Sequence, residues 1–575
     1  MSFTRRGYLF GSIALTAVAA SACDKLGGGE AADLVLHNGK VLSVDPNFTV
    51  HSAIAVKDGK VLAVGGEDLA KTYKAARTVD LKGRTLMPGF NDTHVHLRPP
   101  SPRDIDMKGV TSIEDLKARI KAKAEQLGPG EWVTGRAWDE ALLAEKRNPT
   151  KVDLDAAAPN NPVALVRAGG HSIVGNTLAL KAANITRQTP DPHGALIEKG
   201  PDGEPNGIIR ENNSLYGDQI PDDTWDALRA GFVQTLKDQL VLGITSVYEA
   251  SGTIDDEPVG KGGVDKPGPN LTWKRAQDVY REHGADLPRM AMYISYPGAE
   301  RLKAFPFKSG HGDDRVRIGA IGETAVDGGF TGPTAWTLAD YKGQPGFRGK
   351  GRFTDAELQE IVDTCGSLGW QMGLHAIGDA AIVQTVNAYS NTLRKMPTAA
   401  KGGDHRWFLD HFTIMPPDAT MQKMAQDKIA ISQQPNFLYN LEGRYEATLD
   451  DWRLAHNNSI ATPAKKFGIF TAFSSDNLPI GPLVGLYAAV TRKGPSGRVH
   501  GAEEAVTIQE AIRMYTANGA WLTWEEKTKG TLEVGKLADM IVLDTDPIAG
   551  PPEKLLTTKV DMTIVGGKVV YERAA

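Results

Sequence analysis

Met87-Pro-Gly-Phe-Asn-Asp-Thr-His-Val-His96 is the stretch that decides the fold of this chain. Pro88-Gly89 opens a short strand, and side chains two apart on a strand project to one face. His94 and His96 therefore stand side by side, placed to share one ion. Taken alone, the pair is also explained by two exposed or core histidines. Three further residues follow at wide spacing. His375 ends the apolar run Trp370-Gln-Met-Gly-Leu-His, His411 closes Trp407-Phe-Leu-Asp-His, and Asp476 closes Phe470-Thr-Ala-Phe-Ser-Ser-Asp. Each falls at the C-terminal end of a strand candidate, where barrel enzymes carry their reactive groups. Singly, each histidine fits a hydrogen-bonded core position and Asp476 fits a helix N-cap. Together, four imidazoles and a carboxylate match the ligand set of a first-row divalent ion with a position left open for water.

Working outward, apolar strand candidates alternate with amphipathic helical stretches from Pro88 to Glu525. Val241–Val247 and Trp370–His375 are examples of the strands, Ala356–Val362 and Ile508–Met514 of the helices. Such alternation predicts parallel βα units closing into a (β/α)₈ TIM barrel, an α/β fold. A barrel needs about 250 residues, so residues 88–525 must carry an insertion. The segment 99–226, rich in Pro, Gly and Asn, follows the first strand at the mouth where lids grow. Outside the barrel, both chain ends carry short apolar runs with Asn38-Gly39, Asp58-Gly59 and Gly566-Gly567 as hairpin signals. Neither end has enough strands to bury a core alone, so 33–87 and 526–575 are expected to form one composite β-sandwich.

The 575 residues exceed what one core usually holds, in keeping with this two-part plan. A formal net charge of -5 gives no reason to expect a nucleic-acid surface or an anionic-membrane surface. Residues 1–22 read as an export signal of twin-arginine type: Arg5-Arg6, an apolar run from Tyr8 to Ala20, and small residues before Cys23. Cys23 is then the acceptor of a lipid anchor, or the chain is a free periplasmic protein cut nearby. Either way an exported, cell-envelope location is expected, with 23–32 as a tether. The one other cysteine is Cys365, so any metal site must be built from His and carboxylates.

At this point the sequence resembles the amidohydrolase superfamily, in its YtcJ-like (amidohydrolase 3) branch. The strings that carry the likeness are Pro88–His96, Gly135-Arg-Ala-Trp138, His375-Ala-Ile-Gly-Asp379, Asp410-His411, Ser475-Asp476 and Gly535–Leu543. The resemblance implies that His94 and His96 bind a deeper ion with Asp476, while His375 and His411 bind a second. Zinc is the expected metal, as one or two ions. Asp476 would shuttle a proton from metal-activated water to the leaving group. Many relatives bridge their ions with a carboxylated lysine on the fourth strand, four residues before an Asp-Gly. Here Glu323 occupies that place in Ile321-Gly-Glu-Thr-Ala-Val-Asp-Gly328. It either bridges two ions or only hydrogen-bonds a ligand histidine.

On the substrate side, His171 is the candidate for polarising the scissile carbonyl. Arg136, Trp138, Glu249 and Arg406 are candidates for binding substrate. The implied reaction is hydrolysis of amide-type carbon–nitrogen bonds, other than peptide bonds, in N-acyl or formamide-like small molecules. Two alternatives stand beside it: hydrolysis of esters, lactones or cyclic amides, and a non-catalytic exported binding lipoprotein that retains a metal.

Overall fold

The computed structural model describes residues 30–574, apart from 108, 139, 141, 168–171, 193–194, 211, 264–267, 332 and 397–403. The export signal, Cys23 and His171 lie outside the described residues.

Eight strands occupy the centre: β1 Phe90–Val95, β2 Ile244–Glu249, β3 Arg289–Ile294, β4 Val316–Ala325, β5 Met372–Ala376, β6 Phe408–His411, β7 Ala430–Gln433 and β8 Thr471–Phe473. Each pairs in parallel with the next, so spatial order equals chain order. β8 returns to β1 through two bonds. Thr93 Oγ1 donates to the Phe473 carbonyl at 3.0 Å, and the Asp476 N–H donates to the His94 carbonyl at 2.8 Å. The (β/α)₈ barrel expected from the sequence is the fold.

Local chemistry explains the helices between the strands. Asp355–Ser367 starts with a Thr354/Glu357 capping box and buries Leu358, Ile361, Val362 and Cys365, one stripe at helical spacing. Ile508–Tyr515 starts the same way at Thr507/Glu510. One boundary differs from expectation. Val241, read as strand, ends the helix Trp225–Val241, and β2 begins only at Ile244. Gly243, at φ 78°, turns the chain between them. Inside the barrel, Tyr248 and Tyr293 lie edge to face with ring centres 4.1 Å apart. They fit because β4 carries glycines there: a Cβ on Gly322 would lie 2.4 Å from the Tyr293 ring.

Between β1 and β2 the insertion has its own five-stranded sheet. Its order is Leu196–Lys199, Pro205–Arg210, Ser172–Gly175, Val163–Arg167, Val133–Trp138. Leu116, Ile120, Val133, Leu154, Leu165 and Val174 form a core separate from that of the barrel. The Pro, Gly and Asn content of this segment gave no sign of that sheet.

The chain ends meet in a six-stranded sheet in which Met540–Leu543 pairs antiparallel with Thr85–Pro88. A four-stranded sheet holding Glu30–His37 and the hairpin Ala53–Lys57/Lys60–Gly65 packs on it through Leu36, Ile54, Leu86, Val542 and Ile564. Asp58 and Gly59, both at positive φ, make the tight turn of that hairpin. Asn38-Gly39 does not form a hairpin. It carries the chain from one sheet to the other, where Lys40–Leu42 pairs in parallel with Thr85–Pro88.

Barrel and sandwich are joined by a buried ion pair. Arg289, at the start of β3, donates from Nε to Asp539 Oδ2 at 2.6 Å and from Nη2 to Oδ1 at 3.1 Å. Asp539 also accepts the Gly566 N–H at 2.7 Å. Removing Asp539 leaves the buried Arg289 with only the largely exposed Asp314, to which its Nη1 donates at 3.1 Å. Asp539→Ala is therefore expected to lower unfolding free energy by about 3–5 kcal/mol, and Arg289→Met with Asp539→Leu by far less. Denaturant unfolding of the two variants checks this, and equal losses would contradict it.

Candidate metal centre

His94 and His96 stand at the end of β1 with Nε2 atoms 3.3 Å apart. β4, β5, β6 and the turn after β8 bring Glu323, His375, His411 and Asp476 to the same point. Glu323 Oε1 lies 3.3 Å from His375 Nδ1 and 3.5 Å from His96 Nε2. Its Oε2 lies 3.7 Å from His411 Nε2 and 4.0 Å from His94 Nε2. Asp476 Oδ1 is 3.7 Å from His96 Nε2. All six side chains singled out as ligands in the sequence thus converge at the C-terminal mouth of the barrel.

The backbone there is held in costly conformations. Glu323, His411 and Asp476 have φ of 49°, 75° and 59°, the left-handed region that non-glycine residues rarely adopt. The pairing register of β4 with β5 shifts between Gly322 and Ala325, so Glu323 sits on an irregularity that re-aims its side chain. Such strain costs about 1–3 kcal/mol per residue and gathers at functional sites.

A second set of groups fixes the imidazoles. His411 Nδ1 meets Gln434 Oε1 at 2.9 Å, and His96 Nδ1 meets Ser251 Oγ at 2.9 Å. Asp410 Oδ1 lies 3.2 Å from His94 Nδ1, on the side away from the site. Asp327, which accepts the N–H groups of Trp336, Ile377 and Gly378, lies 3.8 Å from His375 Nε2. The outer nitrogens of His96 and His411 are thus hydrogen-bonded, as in metal-ligating histidines, while carboxylates stand beside those of His94 and His375. These partners were not assigned roles from the sequence. Asp410 was within reach because it adjoins His411. Gln434 and Ser251 carry no motif, and only the barrel places them.

The donor set fits divalent ions. Glu323 Oε2, His411 Nε2 and Asp476 Oδ1 are buried and have no hydrogen-bond partner among the described residues, yet all face the same small volume. His94, Glu323 and His411 form one group with ligand atoms within 4.8 Å of one another, and His94, His96 and Asp476 form another. Burial pushes the His94 pKa down to about 3, which keeps it a neutral ligand. At His375 burial also opposes protonation, but the Glu323 carboxylate prevails and lifts it to about 9. Burial works against the charge on Glu323 as well, and the imidazoles around it hold its carboxyl well below the usual range.

The substrate-side candidates separate. Arg136 lines the cavities over the site. Trp138 does not. It is buried in the insertion's own core, its Nε1 donating to the Leu165 carbonyl at 3.2 Å. Arg406 precedes β6, at the opposite end from His411, and binds Glu526, Asp404 and the Trp521 carbonyl. It ties the barrel floor together and is not a pocket residue. Glu249 is fully buried and accepts the Ser251 N–H at 2.9 Å, so it braces the segment behind His96 without reaching the cavity. Burial raises its carboxyl to about 7. His171 lies outside the described residues. Sequence reasoning missed Arg98 and Arg352, which line the same cavities as Arg136. Arg98 lies two residues past His96 and was legible there.

The chain matches the model of the amidohydrolase family over residues 77–571. YtcJ of Bacillus subtilis (strain 168) is 28% identical over 551 residues, covering 94% of this chain and 99% of that protein. An N-substituted formamide deformylase of Arthrobacter pascens is 27% identical over 560 residues, covering 94% and 98%. The crystal structure of an uncharacterized metal-dependent hydrolase from Pyrococcus horikoshii superposes with a TM-score of 0.68 at 23% identity, covering 90% of this chain and 99% of the other.

Binding an ion requires neutral imidazoles, whereas His375 is protonated up to about pH 9 in the metal-free protein. Loading zinc at neutral pH is thus expected to release about one proton, with affinity rising with pH until about 9. In Glu323→Gln, burial is left opposing protonation of His375, so the rise is expected to end at a lower pH. Zinc titration calorimetry in buffers of different protonation enthalpy measures the release, and pH-independent loading would contradict the pairing.

Proposed function

The chain belongs to the amidohydrolase family, and from that premise we propose that it is a metal-dependent hydrolase of amide-type carbon–nitrogen bonds in small molecules. One observation carries this: four imidazoles and two carboxylates from five strands converge at the barrel mouth, beneath a cavity of about 630 Å³. That volume suits a small substrate. The name of the Arthrobacter pascens relative supports a C–N bond as the target.

His94, His96 and Asp476 would hold one ion and His375 and His411 a second, with Glu323 between them as the bridging carboxylate. Zinc suits this imidazole and carboxylate set, and when bound it supplies Lewis acidity and makes water acidic near neutral pH. The rest falls to the chain's own groups. Asp476 lines the cavity and its Oδ1, beside His96, has no protein donor on it, free to accept the proton of the attacking water. As the C–N bond breaks, the same oxygen returns that proton to the departing nitrogen. Asp410, Gln434, Ser251 and Asp327 keep the rings from turning as charge develops. We also propose that the chain is exported and anchored by lipid on Cys23, on the strength of Arg5-Arg6 and the small residues before Cys23.

Asp476→Asn is expected to lower kcat on amide substrates by about 10²–10⁴-fold, measured beside metal content on the same sample. Native protein that turns over no N-acyl compound, formamide or ester when fully zinc-loaded would return the chain to a binding role. Metal analysis is expected to give about two ions per chain in the native protein and about one in Glu323→Ala. One ion in both would overturn the bridge. Mass spectrometry of the mature N-terminus should find a lipid-modified Cys23, and an unmodified terminus would remove the anchor.

A further inference from the structure

We propose that the substrate carries a carboxylate, held by Arg98, Arg136 and Arg352 beside the metal centre. This rests on the hydrolase function proposed above and names its substrate class. Two cavities, of about 630 and 730 Å³, open onto the site from either side. Six residues line both: His96, Glu323, His375, Arg98, Arg136 and Arg352. The three arginines therefore line the junction of the two cavities, together with three of the candidate ligand residues.

They come from three separate parts of the chain. Arg98 follows β1, Arg136 lies on the insertion strand Val133–Trp138, and Arg352 precedes the helix Asp355–Ser367.

These three arginines are also unneutralised. Arg167, in the wall of the first cavity, pairs with Glu140, and Arg275 and Arg301 nearby pair with Asp256 and Asp255. The side chains of Arg98, Arg136 and Arg352 make no ion pair or hydrogen bond among the described residues. Among the described residues the only carboxylates lining either cavity are Glu323 and Asp476, and both are turned to the imidazoles. All three are exposed to the open cavity, so their charges are hydrated there and available to an incoming anion. A carboxylate accepts the planar guanidinium fork through two parallel bonds.

The walls on either side complete the class. Phe330, Ile377, Phe437 and Leu441 line one cavity, Trp225, Leu228, Phe232 and Leu271 the other. An N-acyl amino acid places its acyl group in one lobe, its apolar side chain in the other, and its carboxylate at the arginines between them.

The test compares N-acetylphenylalanine, both enantiomers, with N-acetylphenethylamine, which lacks only the carboxylate, on zinc-loaded protein. The acid is expected to be preferred about 10- to 100-fold in kcat/KM, the worth of hydrogen bonds to a charged group. Arg136→Gln with Arg352→Gln should collapse that ratio, and the matching lysine variants should restore part of it. Equal turnover of both compounds, with a ratio unmoved by the variants, would overturn the clamp and leave the hydrolase standing. If neither compound is turned over, calorimetric binding decides. Acid binding that needs the arginines supports the clamp while the hydrolase fails, and no binding overturns both.

Discussion

The Glu323 carboxylate reaches His96 and His375 with one oxygen and His94 and His411 with the other, at 3.3–4.0 Å. Four imidazoles gathered in a buried space repel one another once any carries charge, and a carboxylate at their centre offsets that repulsion. The same group fixes where divalent ions can sit, since every inward ring nitrogen faces one of its oxygens. The β4 irregularity with a left-handed Glu323 supplies that reach from the backbone. The strain is tolerated because the barrel around it is closed and densely filled.

That closure depends on side chains well below the site. Tyr248 and Tyr293 fill the barrel interior over Gly319 and Gly322. The Tyr293 hydroxyl lies within bonding distance of both the Thr93 carbonyl and Asp410, so the packed floor and the orientation of His94 are one structure. Beyond the barrel, the Arg289–Asp539 pair and the Met540–Leu543/Thr85–Pro88 ladder hold the sandwich against it. The strand that leads into His94 and His96 therefore starts from an anchored end.

The insertion adds what the barrel lacks. Its five-stranded sheet has its own core, so it extends Arg136 over the mouth from a rigid strand and not from a loose loop. Arginines from three segments then line the cavities above the candidate centre. A barrel mouth built from variable segments can change its substrate in this way without touching the ligands.

The sequence by itself pointed to the barrel, to the six residues that converge at its mouth and to the meeting of both chain ends in one sheet. Those features are local in origin: strand-end histidines, a Pro-Gly before a strand, capping boxes and Asp-Gly turns each act over a few residues and repeat along the chain. It did not determine which polar residues serve the ligands or line the pocket. Trp138 and Arg406 looked as suitable as Arg136, because residue type says nothing about direction across a fold. Gln434 and Ser251 carried no motif, yet they hold His411 and His96. Asn38-Gly39 had the chemistry of a hairpin and became a crossing between sheets. Only the tertiary structure decided these, since each depends on contacts between residues distant in sequence, which closing the barrel brings together.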